Sequence, residues 1–151
     1  MNKRIILYLI LTIISMLIIF TFSSKNSDSS NSTSKKLIDS GITIYEKITN
    51  KKVDHIKIVN KLNYPVRKVA HFALYLILGF FVYEFLLLTS IPHKEIITIL
   101  LCFIYSLTDE IHQLFVSGRT GQIIDIIIDT MGAITVVLIY KYIIKRKNSL
   151  Q

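Results

Sequence analysis

Four apolar runs govern what this 151-residue chain can become: residues 5–22, 69–89, 96–116 and 123–144. Each is close to the roughly 20 residues that carry an α-helix across about 30 Å of hydrocarbon. Inside lipid every backbone polar group needs an internal partner, which leaves helices as the available structure for such runs. Ser90-Ile91-Pro92 closes the second run, Ser117-Gly118 the third and Lys145-Arg146-Lys147 the fourth. The short turns make runs two, three and four antiparallel hairpins. The chain thus reads as one all-α integral membrane domain over residues 1–151, with four transmembrane helices in an antiparallel bundle. The first run follows Lys3 and Arg4, exceeds the usual signal-peptide apolar region and has no Ala-x-Ala site behind it, so it reads as an uncleaved span.

Residues 23–68 connect the first two spans. Ser23–Ser34 is rich in Ser and Asn and reads as flexible loop. Beyond it Leu37, Ile38, Ile42, Tyr45, Ile48, Val53, Ile56 and Val59 recur mainly every three or four residues, with lysines between them. This periodicity predicts an amphipathic connector helix, interrupted near Asn50, that lies on the membrane or caps the bundle. A solvated linker with chance periodicity is the alternative. Lys3, Arg4 and the basic C-terminus favour cytoplasmic ends and an extracytoplasmic connector. The ten Lys and Arg of the connector outnumber those of the two tails and the second turn together and argue the other way; the flanks of the first span decide, because that span usually sets the orientation.

A net charge of +8 on such a chain reads as topology signal and attraction to anionic lipid rather than to nucleic acid. Cys102, the single cysteine, excludes an internal disulfide and CxxC-type metal ligation, and reads as a small buried hydrophobe. Abundant Ile, Lys and Asn with no Trp is what an AT-rich bacterial genome would encode.

Against this apolar background the stretch Asp109–Asp129 is anomalous. Asp109, Glu110, Asp125 and Asp129 fall inside or beside spans, where a carboxylate costs a few kcal/mol. In a four-span hairpin bundle the start of span two, the end of span three and the start of span four share one side of the membrane. Arg67, His71 and Tyr75 lie on one face there, at i, i+4 and i+8. Ser106, Asp109 and Gln113 share a face of span three, with Glu110 about 100° round. Arg119 occupies the turn, and Asp125, Asp129 and Gly132 share a face of span four. At about 1.5 Å per residue, His71, Asp109 and Asp129 lie roughly 5–12 Å below that surface and can converge. Arg67 and Arg119 are the expected partners of Asp109, Glu110 and Asp125, and Gly132 would let a neighbouring helix approach closely. A binding or catalytic pocket and plain inter-helix clamping both account for the cluster. His112 should point away from the Asp109 face toward the interface; His55 and His93 carry no signal.

These residues resemble the VanZ-like family of bacterial membrane proteins. The resemblance rests on Phe22-Ser23-Ser24, on Arg67-Lys68-Val69-Ala70-His71-Phe72 leading to Tyr75 and Leu78-Gly79, and on Asp109-Glu110-Ile111-His112-Gln113-Leu114-Phe115. Gly118-Arg119, Asp125 and Asp129-Thr130-Met131-Gly132 complete it, so it covers almost the whole chain. The chain departs from the pattern at Ser117, where the family often has proline, and at Thr135-Val136, where a second glycine is expected. The resemblance implies a setting in the cell envelope and an association with low-level resistance to the lipoglycopeptide teicoplanin, but carries no agreed catalytic residues.

Two functions follow. In the first, the pocket of Arg67, His71, Tyr75, Asp109, Glu110, Gln113, Arg119, Asp125 and Asp129 binds a membrane lipid headgroup or a lipid-linked cell-wall precursor, with Arg67, Lys68 and Arg119 on phosphate. In the second, the chain is an intramembrane hydrolase or transferase with Asp109 or Glu110 as general base and His71 as proton partner. Neither an H-E-x-x-H nor a G-x-S-x-G motif is present. No cofactor is expected, although the carboxylates are of the type that holds Mg²⁺ or Mn²⁺. An ion-coupled carrier would use the same carboxylates, but four spans without an internal repeat are few for one.

Overall fold

A computed structural model describes residues 3–149, which form five helices: α1 (Lys3–Ser23), α2 (Ser27–Thr49), α3 (His55–Leu87), α4 (Lys94–Gln113) and α5 (Ile123–Asn148). Among the described residues α1, α3 and α5 are long and apolar enough to cross a membrane. α4 is not one of them; its last turns carry Asp109, Glu110, His112 and Gln113. Leu7, Ile10, Ile13 and Leu17 of α1 stand uncovered, as side chains facing lipid do.

Two expectations for the connector are corrected. The Ser- and Asn-rich stretch is not a loop beyond Asn26. The Asn26 side chain accepts a hydrogen bond from the Ser29 backbone N–H at 2.9 Å and so caps α2. The hydroxyls of Ser32, Thr33 and Ser34 return to carbonyls three or four residues back, which keeps these polar side chains compatible with a helix. Second, the helix containing run 69–89 starts at His55, not Val69. Asp54 caps it by accepting from Lys57 N–H at 3.0 Å, and the helix continues through Pro65. Its 33 residues span about 50 Å, so its first turns stand beyond the hydrocarbon. The break near Asn50 is present: Asn50 adopts a left-handed φ of 53° and donates its N–H to Glu46 O.

α2 therefore folds back along the first half of α3. His55 joins the two, with Nδ1 2.6 Å from Asp39 and Nε2 3.3 Å from Glu46. The Val53 N–H and the His55 ring hold the Glu46 carboxyl below its usual range. Further along, Ser34 donates to Asn63, and Asn63 donates to Asn31 at 3.1 Å.

α3 is the hub, touching all four other helices, with α5 as its most extensive partner. Ile19, Tyr75, Leu78, Val82, Leu86, Cys102 and Ala133 form the main core, and Cys102 is fully buried. Small residues set how closely α3 and α5 approach. A Cβ on Gly132 would stand 2.6 Å from Phe72 O and 2.8 Å from Leu76 N, both backbone atoms; one on Gly79 would stand 2.9 Å from Ala133 Cα. Val136, in the place of the second glycine, is buried beside Tyr83 and Val137. Gly132→Ala must push backbone from backbone and should cost about 1–3 kcal/mol, the usual range for overpacking. Gly41→Ala meets nothing within 4 Å and should be neutral or slightly stabilising. Thermal unfolding of both variants in detergent checks the contrast.

Candidate functional site

The end of α1, the end of α4 and the starts of α3 and α5 meet around a set of polar side chains, arranged in two layers. The inner layer holds carboxylates. Asp109 accepts from Ser23 Oγ of α1 at 2.7 Å and from Gln113 Nε2 at 3.1 Å. Glu110, behind the start of α5, accepts the Gln122 backbone N–H at 2.8 Å and the Gln113 amide at 3.3 Å. A carboxylate there meets the positive end of the helix. Asp129 is fully enclosed and accepts from Ser106 Oγ of α4 at 2.9 Å. His71 Nδ1 of α3 stands 3.7 Å from its other oxygen. Tyr75 is completely buried beside the Tyr105 ring.

The outer layer is cationic and bounds a cavity of about 230 Å³. Arg67, Lys68, His71, Gln113, Arg119 and Asp125 are among its walls. Lys68 donates to the Asp125 carboxylate and, at 3.1 Å, to the Gln122 side chain. Arg67 donates to Asn31 of α2 at 3.0 Å. Arg119 donates through Nε to Lys25 O at 2.9 Å and through Nη2 to Phe22 O at 3.1 Å, pinning the α1–α2 bend. Burial, and then the neighbouring Arg67, lower the pKa of Arg119, and its Nη1 is enclosed with no partner among the described residues.

A second cavity of about 350 Å³ adjoins the first, between α1, α2 and α3. Phe22, Leu37, Val66, Ala70, Leu74 and Ile77 supply its apolar walls. Arg67, His71 and Arg119 border both cavities. The cationic cavity and the mostly apolar cleft thus lie side by side with three cationic or ionisable side chains as common walls.

Of the nine site residues named from sequence, five line the polar cavity: Arg67, His71, Gln113, Arg119 and Asp125. Tyr75, Asp109, Glu110 and Asp129 lie outside both linings. The expected pairing of Arg67 and Arg119 with Asp109, Glu110 and Asp125 is corrected. Both arginines bind neutral oxygens, and Lys68 is the cation on Asp125. The reason is reach: Ser23, Ser106, Gln113 and the Gln122 backbone N–H stand closer to the inner carboxylates than either arginine does. His112 stands 3.1 Å from Ser24 Oγ and against the Phe20 ring. Sequence reasoning missed the partners Ser23, Asn31, Asn63 and Gln122. It also passed over Glu84, a carboxylate inside run 69–89 that accepts from the Tyr140 hydroxyl. Its signal, an acid among Phe, Val, Tyr and Leu, was as plain as that of Asp129.

Lys68 and Asp125 are mostly buried, at 15% and 11% exposed, so either left alone would be an unpaired charge. Lys68→Met or Asp125→Leu alone should cost about 3–5 kcal/mol, and the double variant should recover most of that. Unfolding midpoints of the three proteins in detergent measure the coupling; additive losses would contradict it.

The family model described as VanZ/LLP1 matches residues 6–145, nearly the full length. No curated protein and no solved structure matches the chain.

Proposed function

The chain belongs to the VanZ/LLP1 family, and we propose that this membrane protein binds the phosphate headgroup of a lipid or lipid-linked cell-wall component. The observation that carries the reading is that Arg67, His71 and Arg119 wall both the cationic cavity and the adjoining apolar cleft. An amphiphile has the matching shape, with its headgroup on the cations and its chain between α1, α2 and α3. Arg119 is the strongest point of recognition. Its guanidinium is partly desolvated and donates only to the neutral Lys25 and Phe22 carbonyls, so a phosphate oxygen in the adjoining cavity gains a charge-assisted contact that neither carbonyl provides. The inner carboxylates act as supports that fix the helices behind the cavity.

In this reading α4 is the fourth span, the bundle is antiparallel, and both termini face the cytoplasm. Lys3 and Arg4 at the start of α1 and Lys145, Arg146 and Lys147 at the end of α5 favour that orientation. The cavity then opens to the outer face of a bacterial membrane, where a lipoglycopeptide meets its lipid-anchored target. Holding or re-presenting that target is a route to teicoplanin resistance. Single cysteines at the exposed Ser40 and Ser149, in a Cys102→Ala background, should label with a membrane-impermeant thiol reagent in intact cells at Ser40 only.

Lipid extracted from the purified wild type should contain about one phospholipid or polyprenyl phosphate per chain. Arg67→Ala and Arg119→Ala, accumulating to normal levels, should lose most of it and, in a host where the wild type lowers teicoplanin susceptibility, lose that effect. Retention of the lipid in both variants would refute the site.

A further inference from the structure

Given a phosphate lipid in the cavity, as the preceding reading requires, the join between the two cavities is where its phosphate meets its alcohol. The side chain at that join is His71, which borders both spaces. We infer that His71 is a catalytic nucleophile that cleaves the phosphate monoester of the bound lipid, with Asp129 as its positioning residue.

The geometry supplies the parts of such a centre. His71 Nδ1 faces Asp129 Oδ1 at 3.7 Å, and neither atom has any other partner. A histidine serving only to clamp helices would have its buried nitrogen satisfied. A carboxylate behind Nδ1 instead fixes the tautomer that leaves a lone pair on Nε2. Nε2 makes no hydrogen bond and is not among the enclosed unpartnered atoms, so it is the ring nitrogen open to the cavity. Catalytic hydrogen bonds are often long before substrate arrives and shorten in the complex. Asp129 cannot swing away: it is fully buried, and Ser106 holds its second oxygen at 2.9 Å. Arg67, Lys68 and Arg119 stand around the same space, where they would neutralise the charge on the phosphoryl oxygens, the main catalytic requirement of phosphoryl transfer.

The reaction balances without a further reagent. The Nε2 lone pair attacks phosphorus, an N–P bond forms, and the P–O bond to the lipid alcohol breaks. The leaving alkoxide takes a proton from a cavity water, and the resulting hydroxide attacks phosphorus and breaks the N–P bond. Inorganic phosphate departs and His71 returns neutral, its Nδ1–H directed at Asp129 throughout. The net change is hydrolysis of a lipid phosphate to lipid alcohol and phosphate. Diacylglycerol phosphate and polyprenyl phosphate share this chemistry.

The test uses the full-length protein in phosphatidylcholine vesicles doped in one arm with phosphatidic acid and in the other with a polyprenyl phosphate. Phosphate release from either arm supports the activity and names the alcohol. His71→Gln, reconstituted at the same protein content, should release none above vesicles without protein. Asp129→Asn should lower kcat on the order of 10²- to 10⁴-fold with KM and lipid content little changed; equal loss of lipid content and kcat would make Asp129 structural. Acid-quenching is avoided: alkaline quenching of wild type on ³²P-labelled substrate should trap a base-stable, acid-labile phosphoprotein that is absent from His71→Gln. If the wild type binds lipid phosphate but releases nothing in both arms, the activity is refuted and the binding reading stands. If it neither binds nor releases, both fall.

Discussion

A polar group taken into an apolar bundle must find its partner there, and in this chain each carboxylate finds at least one on a different segment. Asp109 of α4 takes Ser23 of α1, Asp129 of α5 takes Ser106 of α4, and Glu110 takes the backbone at the start of α5. Asp125 takes Lys68 and Glu84 takes Tyr140, each across the α3–α5 contact. The gross cost of an unpaired carboxylate in this setting is a few kcal/mol, so these pairings fix which helices can be neighbours. They also explain why α3 and α5 can touch backbone to backbone at Gly132 without register ambiguity.

The same bookkeeping separates scaffold from site. Carboxylates supplied by serines and amides need no cation, which leaves the cations of the outer layer uncommitted to them. Arg67 and Arg119 settle on neutral oxygens of Asn31, Lys25 and Phe22, weaker partners than an anion would be. The cavity is electropositive because Asp109, Glu110 and Asp129 face serine, amide and backbone donors rather than its arginines. Its neighbouring cleft is closed on one side by α2, whose attachment runs through Asn31, Ser34 and Asn63.

Much of this was legible in residue order, and the failures have physical causes. The apolar runs, the convergence of His71 with Asp129 and the close approach at Gly132 follow from spacing and hairpin geometry alone. The start of α2 was hidden because Ser and Asn favour loops on average, whereas here Asn26 spends its side chain as a cap and the serines bond their own helix. The start of α3 was hidden because its first four turns are polar and contain Pro65, both ordinary signs of a break. Assigning partners by opposite charge failed at Arg67 and Arg119, since a serine one helix away reaches a carboxylate before a long arginine from the turn does. Tyr75 was placed on the right face yet lies in the core, because face alone does not give depth.

Under the binding proposal a lipid phosphate completes the cationic cavity. The decisive measurement is a structure of the protein grown from a lipid mesophase doped with a non-hydrolysable phosphonate analogue of phosphatidic acid. A phosphonate oxygen should lie within about 2.7–3.2 Å of the Arg119 or Arg67 guanidinium, with an acyl chain between α1, α2 and α3. A cavity holding only water, with Arg119 turned onto Asp125 or Glu110 and the cleft collapsed, would contradict it.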